Sequence, residues 1–404
     1  MSDRPLRIAV WHNLPSGGGK RALYDHVRGL VDRGHHVEAW APPSADRTYL
    51  PLNDMIEEHI LPYGDDSYRL TDKLQLTLHI DRRLAAMEEH ARRCAAEIAR
   101  GGFDLLFANS CMYFRSAPIG RFVDLPSVLY LQEPYRWLYE AMPEPVWAAP
   151  EPGGGLKAAF LDWRNVRNAR VQMRAEIASA KAYGRILCNS YFSRESILRA
   201  YGLDAEVCYL GIDTNRFSPG SGPRGDFLLG LGSFTREKNP RLCIEALGAV
   251  QGPKPRLLWI ANFAHDDFLA EMRALAERRG VVLEVQVNAP DETLRTALQT
   301  AMAMVFAPRL EPFGLVPLEA GACGTPVIAV AEGGLRETVV DGVNGLVADP
   351  TSAGLAAAIA RLRDDPSLRA RLGEGGRRLV DERWSLAAAA ERLEAKLRAQ
   401  VDAG

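Results

Sequence analysis

The sequence predicts an α/β protein made of two doubly wound parallel sheets, and three observations carry that prediction. A chain of 404 residues is too long for one ordinary domain and suits two or three. Short apolar runs alternate with helical patterns, the order that strand and crossover-helix units require. The alternation then begins again after residues 218–226 (SPGSGPRGD), whose prolines and glycines mark a linker. In the first half, residues 8–12 (IAVWH) read as a strand, 21–33 as a helix and 36–41 (HVEAWA) as the next strand. Further strands follow at 105–108, 127–131 and 186–189. The second half has a strand at 227–231 (FLLGL), a helix near 241–250, and strands at 257–261, 281–287, 304–307 and 327–330. Two Rossmann-like domains are the simplest solution, one over 1–215 and one over 216–383. Ligands of such sheets lie outside the carboxyl ends of the strands, so a cleft between facing domains is the expected site.

Composition narrows the function classes. Hydrophobic content of 47% and charged content of 25% are those of a soluble globular protein with a full core. With 49 basic against 51 acidic residues there is no global field for nucleic acid, and no basic stripe with interleaved aromatics stands in for one. The cysteines Cys94, Cys111, Cys188, Cys208, Cys243 and Cys323 show no Cys-x-x-Cys spacing, which speaks against zinc and against a disulfide framework and fits a reducing cytoplasm. The N-terminal apolar run has the length of a strand and not of a signal peptide, and no run reaches the roughly 18 apolar residues of a membrane span. A cytoplasmic location is the expectation.

The most informative stretch is 309–350, RLEPFGLVPLEAGACGTPVIAVAEGGLRETVVDGVNGLVADP, in which Glu311 and Glu319 stand with seven residues between them. Pro312 and Gly314 keep the first glutamate in a loop, while Pro317 pre-sets the first turn of a helix that Gly324 stops. The two carboxylates bracket a helix N-terminus. Backbone N–H groups of Phe313, Gly314 and Leu315 would point, with the positive dipole end, at whatever sits in front, and phosphate is the natural occupant. A ligand with hydroxyls on both sides of a diphosphate meets a carboxylate acceptor at each end, and a nucleoside diphosphate sugar has that shape.

Glu-Pro-Phe-Gly-Leu, Glu-Ala, Cys-Gly-Thr-Pro-Val and Gly-Gly-x-x-Glu, in this order, resemble the retaining GT-B glycosyltransferases of glycosyltransferase family four. The resemblance implies that Glu311 contacts the donor sugar hydroxyls, that the backbone of Phe313, Gly314 and Leu315 holds sugar and diphosphate, and that Glu319 binds the ribose. It also implies that the last helical stretch, 384–404, packs back on the first domain.

Other segments extend the resemblance. The loop from Gly232 to Lys238 follows a strand and precedes a helix; the family has an arginine and a lysine here that neutralise the donor diphosphate. Lys238 matches the lysine, a compact cation suited to charge on the departing phosphate. Ser233 stands where the family has arginine, and Arg236 is the candidate replacement. Gly17 and Gly18, after the first strand, let the backbone approach the diphosphate or the acceptor. Gln132 and Glu133 lie where many relatives carry His-Glu-Pro; Gln132 hydrogen-bonds but takes no proton at neutral pH. His12, ending the first strand, is the other acceptor-side candidate, against a purely structural reading of a lone histidine. The stretch 156–174 carries Lys157, Arg164, Arg167, Arg170 and Arg174 beside Phe160 and Trp163. It reads either as a surface for an anionic membrane, bringing a lipid-linked acceptor, or as a domain helix with a solvated arginine face.

The expected activity is therefore retaining transfer of a sugar from a nucleotide donor to a glycan, lipid-linked or small-molecule acceptor, with Lys238 and Glu311 as its catalytic residues. GDP-mannose and UDP-hexose are the donors to try first. No cofactor or metal is expected, since no Asp-x-Asp pair stands beside the diphosphate site and no histidine–carboxylate cluster is visible. Rival readings are a nucleotide-sugar 2-epimerase of the same fold and a non-catalytic paralogue, the latter motivated by Ser233 and Gln132.

Overall fold

A computed structural model describes residues 4–64, 79–140 and 154–403. The chain divides into two compact units, one formed by 1–209 with 389–404, the other by 210–388.

Unit 1 comprises β1 (Arg7–Asn13), α1 (Gly18–Asp32), β2 (His36–Ala41), β3 (Glu57–Ile60), α2 (His79–Ile98), β4 (Leu105–Cys111), β5 (Ser127–Tyr130), α3 (Arg136–Tyr139), α4 (Leu156–Ala180), β6 (Arg185–Cys188), α5 (Tyr191–Tyr201) and β7 (Glu206–Val207). Its seven parallel strands run in the order β3-β2-β1-β4-β5-β6-β7. Every residue of β4 is buried, as both faces of a central parallel strand must be when helices cover them. Strand β3, Glu-Glu-His-Ile, has no apolar signature and is a strand because it extends the edge of β2 in register, Ala39 beside Glu58 and Trp40 beside His59. Helix α2 turns Met87, Ala91, Cys94, Ala95 and Ile98 inward at helical spacing.

Unit 2 comprises β8 (Phe227–Leu231), α6 (Pro240–Ala249), β9 (Arg256–Ala261), α7 (Asp266–Arg278), β10 (Leu283–Val287), α8 (Asp291–Thr300), β11 (Ala303–Phe306), α9 (Leu315–Ala322), β12 (Val327–Val330), α10 (Leu335–Thr338), β13 (Gly345–Ala348), α11 (Ser352–Asp364) and α12 (Pro366–Leu379). Its six strands run β10-β9-β8-β11-β12-β13. Both sheets thus grow outward from their first strand in one direction and then in the other. The point of reversal lies between β1 and β4 in unit 1 and between β8 and β11 in unit 2, where ligands of such sheets bind.

The 218–226 segment has no regular structure yet is fastened to unit 2. Arg224 donates to the carbonyl of Ala301 (3.2 Å), just after α8, and to that of Cys323 (3.0 Å), just after α9, serving acceptors that helix ends leave exposed. Ile212 donates to Trp384 O (2.7 Å) and accepts from Leu386 N (3.1 Å), so the segments that open and close unit 2 are paired with each other. The chain then returns to unit 1 as α13 (Leu386–Val401), where Glu394 meets Arg33 and His35 and Lys396 meets Glu206.

Candidate active site

In unit 2 three loops gather at the carboxyl ends of β8, β11 and β12. The first begins at Gly232, whose carbonyl accepts from Trp259 Nε1 (2.9 Å), and ends at Asn239, whose amide donates to Ala307 O (3.2 Å). Arg309 N also donates to Glu237 O (2.9 Å), so the first and second loops are stitched together across the point of reversal. Lys238 sits between them. Its ammonium lies 2.7 Å from Glu311 Oε2 and 5.6 Å from the centre of the Phe306 ring. Both side chains are largely covered, at 26% and 14% exposure, so the pair is held in a medium of lowered dielectric and not at a freely solvated surface.

The backbone around Glu311 is gripped by the third loop. Gly334 N donates to Glu311 O (2.7 Å), and a Cβ on Gly333 would stand 2.2 Å from that same oxygen, so only glycine lets the two loops touch. Leu310 N donates to Glu332 Oε2 (3.0 Å). Helix α9 then starts from Gly314, which has φ 97° and no capping side chain. A Cβ at Gly314 would meet Leu335 at 2.7 Å. With no side-chain cap and no acidic residue in its first turn, α9 presents its N-terminus with the dipole uncompensated. Phe313 buries its ring against Trp384, 5.6 Å between centroids, so its side chain belongs to the core. Glu319, one turn into α9, is 1% exposed.

Ser233 is half-buried in the first loop. Arg236, two residues before Lys238, points elsewhere: its guanidinium is 3.2 Å from Glu271 and 5.0 Å from the Phe268 ring, and it is 72% exposed. The remaining site residues expected from sequence lie in unit 1. Gly17 is the N-cap of α1 and Gly18 its first residue. Gln132 Nε2 donates to Gly19 O (3.4 Å), tying the segment after β5 to that helix start, and Glu133 is paired with Arg136 at 2.5 Å. His12 is fully buried, with Nε2 3.2 Å from Glu58 Oε1.

The expectation that no histidine–carboxylate cluster exists is corrected here. His12 with Glu58 is one such group, and Glu38 bridges His36 (2.7 Å) and His59 (2.9 Å) as another. Glu38, Glu57 and His59 have ligand atoms close enough to share a metal ion. The reason these groups escape a sequence reading is that parallel pairing of β1, β2 and β3 assembles them from positions up to 46 residues apart. Both are in unit 1, outside the Lys238–Glu311 loops. Sequence reasoning also missed the grip of Gly333 and Gly334 on Glu311, although their Gly-Gly-x-x-Glu motif is visible, and it gave Lys20 no role.

A family model described as Glycosyl transferases group 1 matches residues 211–379, and one described as Glycosyltransferase Family 4 matches residues 16–216. The chain belongs to glycosyltransferase family four. Similar family members include the D-inositol 3-phosphate glycosyltransferase of Streptomyces bingchenggensis, 32% identical over 55% of this chain and 54% of that protein. Another is the alpha-1,3/1,6-mannosyltransferase ALG2 of Homo sapiens, 28% identical over 52% and 56%. The chain thus spans about half the length of the curated relatives it matches. In fold it resembles the sucrose-phosphate synthase of Thermosynechococcus elongatus, with a TM-score of 0.73, 20% identity and coverage of 99% of this chain and 100% of that one. The two parallel-sheet units are those of the GT-B glycosyltransferase class.

Proposed function

We propose that this protein is a retaining glycosyltransferase that moves a hexose-type sugar from a nucleoside diphosphate donor to an acceptor hydroxyl. The observation that carries the proposal is the convergence of Lys238 and Glu311 at 2.7 Å beside the uncompensated N-terminus of α9. An ion pair in that place has a direct use. A donor sugar offers hydroxyls to the Glu311 carboxylate and a diphosphate to the Lys238 ammonium, so binding replaces one internal contact by two to the ligand. Glu319, inside the helix, is the partner for the ribose. Cleavage of the glycosidic bond adds negative charge to the diphosphate, and Lys238 with the α9 N-terminus opposes that charge electrostatically. The departing phosphate deprotonates the acceptor on the face it leaves, which retains the anomeric configuration without a carboxylate nucleophile.

Unit 1 supplies the acceptor side. Helix α4 leaves Leu156, Phe160 and Trp163 exposed on successive turns beside Lys157, an arrangement suited to resting on an anionic membrane that carries a lipid-linked acceptor. Among the described residues no helix is long and apolar enough to cross a membrane.

Incubation with GDP-mannose or a UDP-hexose, first without acceptor and with EDTA present, tests this reading. Slow release of sugar with the starting anomeric configuration, followed by proton NMR, is the expected result. An epimerised donor, an unchanged donor that still binds, or activity that requires added manganese or magnesium overturns it.

A further inference from the structure

Among the described residues, the buried side-chain atoms of unit 1 without a hydrogen-bond partner include Lys20 Nζ, His12 Nδ1 and both amide atoms of Asn109. All three residues are 0–1% exposed. They lie at the carboxyl ends of β1 and β4, the point of strand-order reversal, and at the start of α1. They also share a face. Trp11 and Ala108 are register neighbours that join Ala9 and Leu106 in the core on the other side of the sheet. Strand alternation turns His12 and Asn109 the opposite way, toward the face of Phe107 and Tyr130. That face is covered by α1, whose His26 packs on both rings. Lys20 is the third residue of α1.

The charges nearby are committed elsewhere. Glu58 holds His12 and Arg47, and Asp46 accepts from the backbone of Thr48 and Tyr49. Helix α1 has no capping side chain and no acidic residue in its first turn. A buried ammonium with no partner is strongly unfavourable, and burial accordingly lowers the Lys20 pKa. His12 is set up differently. A carboxylate only accepts, so Glu58 fixes the proton on Nε2 and leaves Nδ1 as a bare acceptor. Burial, reinforced by the Lys20 charge, lowers the His12 pKa against the opposing pull of Glu58. One cation, one acceptor and one amide able both to donate and to accept therefore lie at the same end and on the same face of the sheet, close enough for the Lys20 charge to act on His12. The surface is open at Gly17, the N-cap of α1, where a Cβ would meet nothing within 4 Å.

We infer that this group is a binding pocket for a polyol carrying a phosphoryl group, with Lys20 and the start of α1 taking the phosphoryl oxygens and His12 Nδ1 and Asn109 taking hydroxyls. The inference rests on the reading of unit 1 as the acceptor side, and Lys20 is then the residue that selects a phosphorylated acceptor over a neutral one. A phosphoryl group can also come from the donor diphosphate, and the test separates the two sources.

Calorimetry on the full chain would compare inositol, inositol 3-phosphate, inorganic phosphate, UDP and GDP, in the wild type and in Lys20→Met. The phosphorylated polyol should bind at least about tenfold tighter than inositol, and Lys20→Met should abolish that preference while moving nucleoside diphosphate affinity less than roughly threefold. The variant should also unfold at no lower temperature than the wild type, because methionine leaves no buried charge. Wild-type indifference to the phosphate overturns the inference. So does a tenfold loss of UDP or GDP affinity in Lys20→Met, which would assign the lysine to the donor. Asn109→Leu is the second variant and should weaken both polyols about equally, by roughly tenfold; unchanged affinities overturn the pocket even where Lys20→Met does not fold. Since these are equilibrium measurements without turnover, a failed sugar transfer leaves their outcome readable, and the converse holds.

Discussion

In unit 2 the site is carried by two uninterrupted stretches, Gly232 to Asn239 and Arg309 to Glu319, and the close ion pair of Lys238 with Glu311 links them. In unit 1 the polar group at the corresponding end of the sheet draws single residues from β1, α1, β3 and β4, and most of its functional atoms are unpaired. The first site is built from loops whose glycines and prolines set the backbone, with Lys238 and Glu311 partnered to each other. The second is built from strand ends, where the backbone is already fixed by the ladder and only the side chains are chosen. Loop-built sites write themselves into contiguous motifs; strand-end sites are written one residue at a time.

The sharpest way to break this contrast is to remove Lys238. A lysine aimed at the departing diphosphate binds the transition state more tightly than the donor, so Lys238→Ala should depress kcat on the order of a hundredfold or more while donor KM moves far less. Steady-state kinetics with kcat preserved would dismiss the lysine from the chemistry. On the proposed function, Glu319 acts on binding instead. Loss of a charge-assisted bond to ribose hydroxyls is worth roughly 1.5–3 kcal/mol, so Glu319→Ala should weaken the nucleoside diphosphate about tenfold to a hundredfold by calorimetry.

Unit 1 answers to pH through His26, whose ring nitrogens are buried and unpaired between Phe107 and Tyr130. Burial drives its pKa from 6.5 down to about 3. The folded state therefore binds fewer protons than the unfolded state between those values. The stabilising share of a neutral His26 is complete above pH 6.5 and is lost as pH falls toward 3. Replacing it by phenylalanine should flatten the acid side of the stability profile by up to about 1.4 kcal/mol per pH unit, read as unfolding midpoints from pH 7 to 4. Identical profiles for the two proteins would show that His26 titrates in the folded state as it does in the unfolded one. The smallest effect is expected from Arg236→Ala. Its guanidinium already rests on Glu271 and Phe268, so kcat should change less than about threefold. A Lys238-sized loss would make Arg236 the replacement for the arginine absent at Ser233.

The architecture was legible because central parallel strands must be apolar on both faces: LLFA at 105–108 and VIAV at 327–330 can be little else. Edge strands escape that rule. Glu-Glu-His-Ile of β3 has a partner strand on one side only and no apolar alternation, so its strand character comes from β2 and not from its own residues. The same split governs the site. Glu311, Gly314 and Glu319 could be placed from local chemistry alone, since a proline, a glycine and a helix start fix their spacing. Lys20 next to Gly19 reads as an ordinary solvated lysine until the fold shows it covered. Glu58 and Asn109 carry no local mark at all, because their meaning lies in which strands adjoin.

Unit 1 is discontinuous: it takes its last helix from residues 389–404, after the whole of unit 2. During synthesis its sheet leaves the ribosome with the seat of α13 empty, Arg33, His35 and Glu206 awaiting Glu394 and Lys396. The intervening 179 residues, from 210 to 388, take on the order of 10 to 35 s to translate. Unit 2, being continuous, is complete first, and nascent unit 1 passes that interval without its last helix.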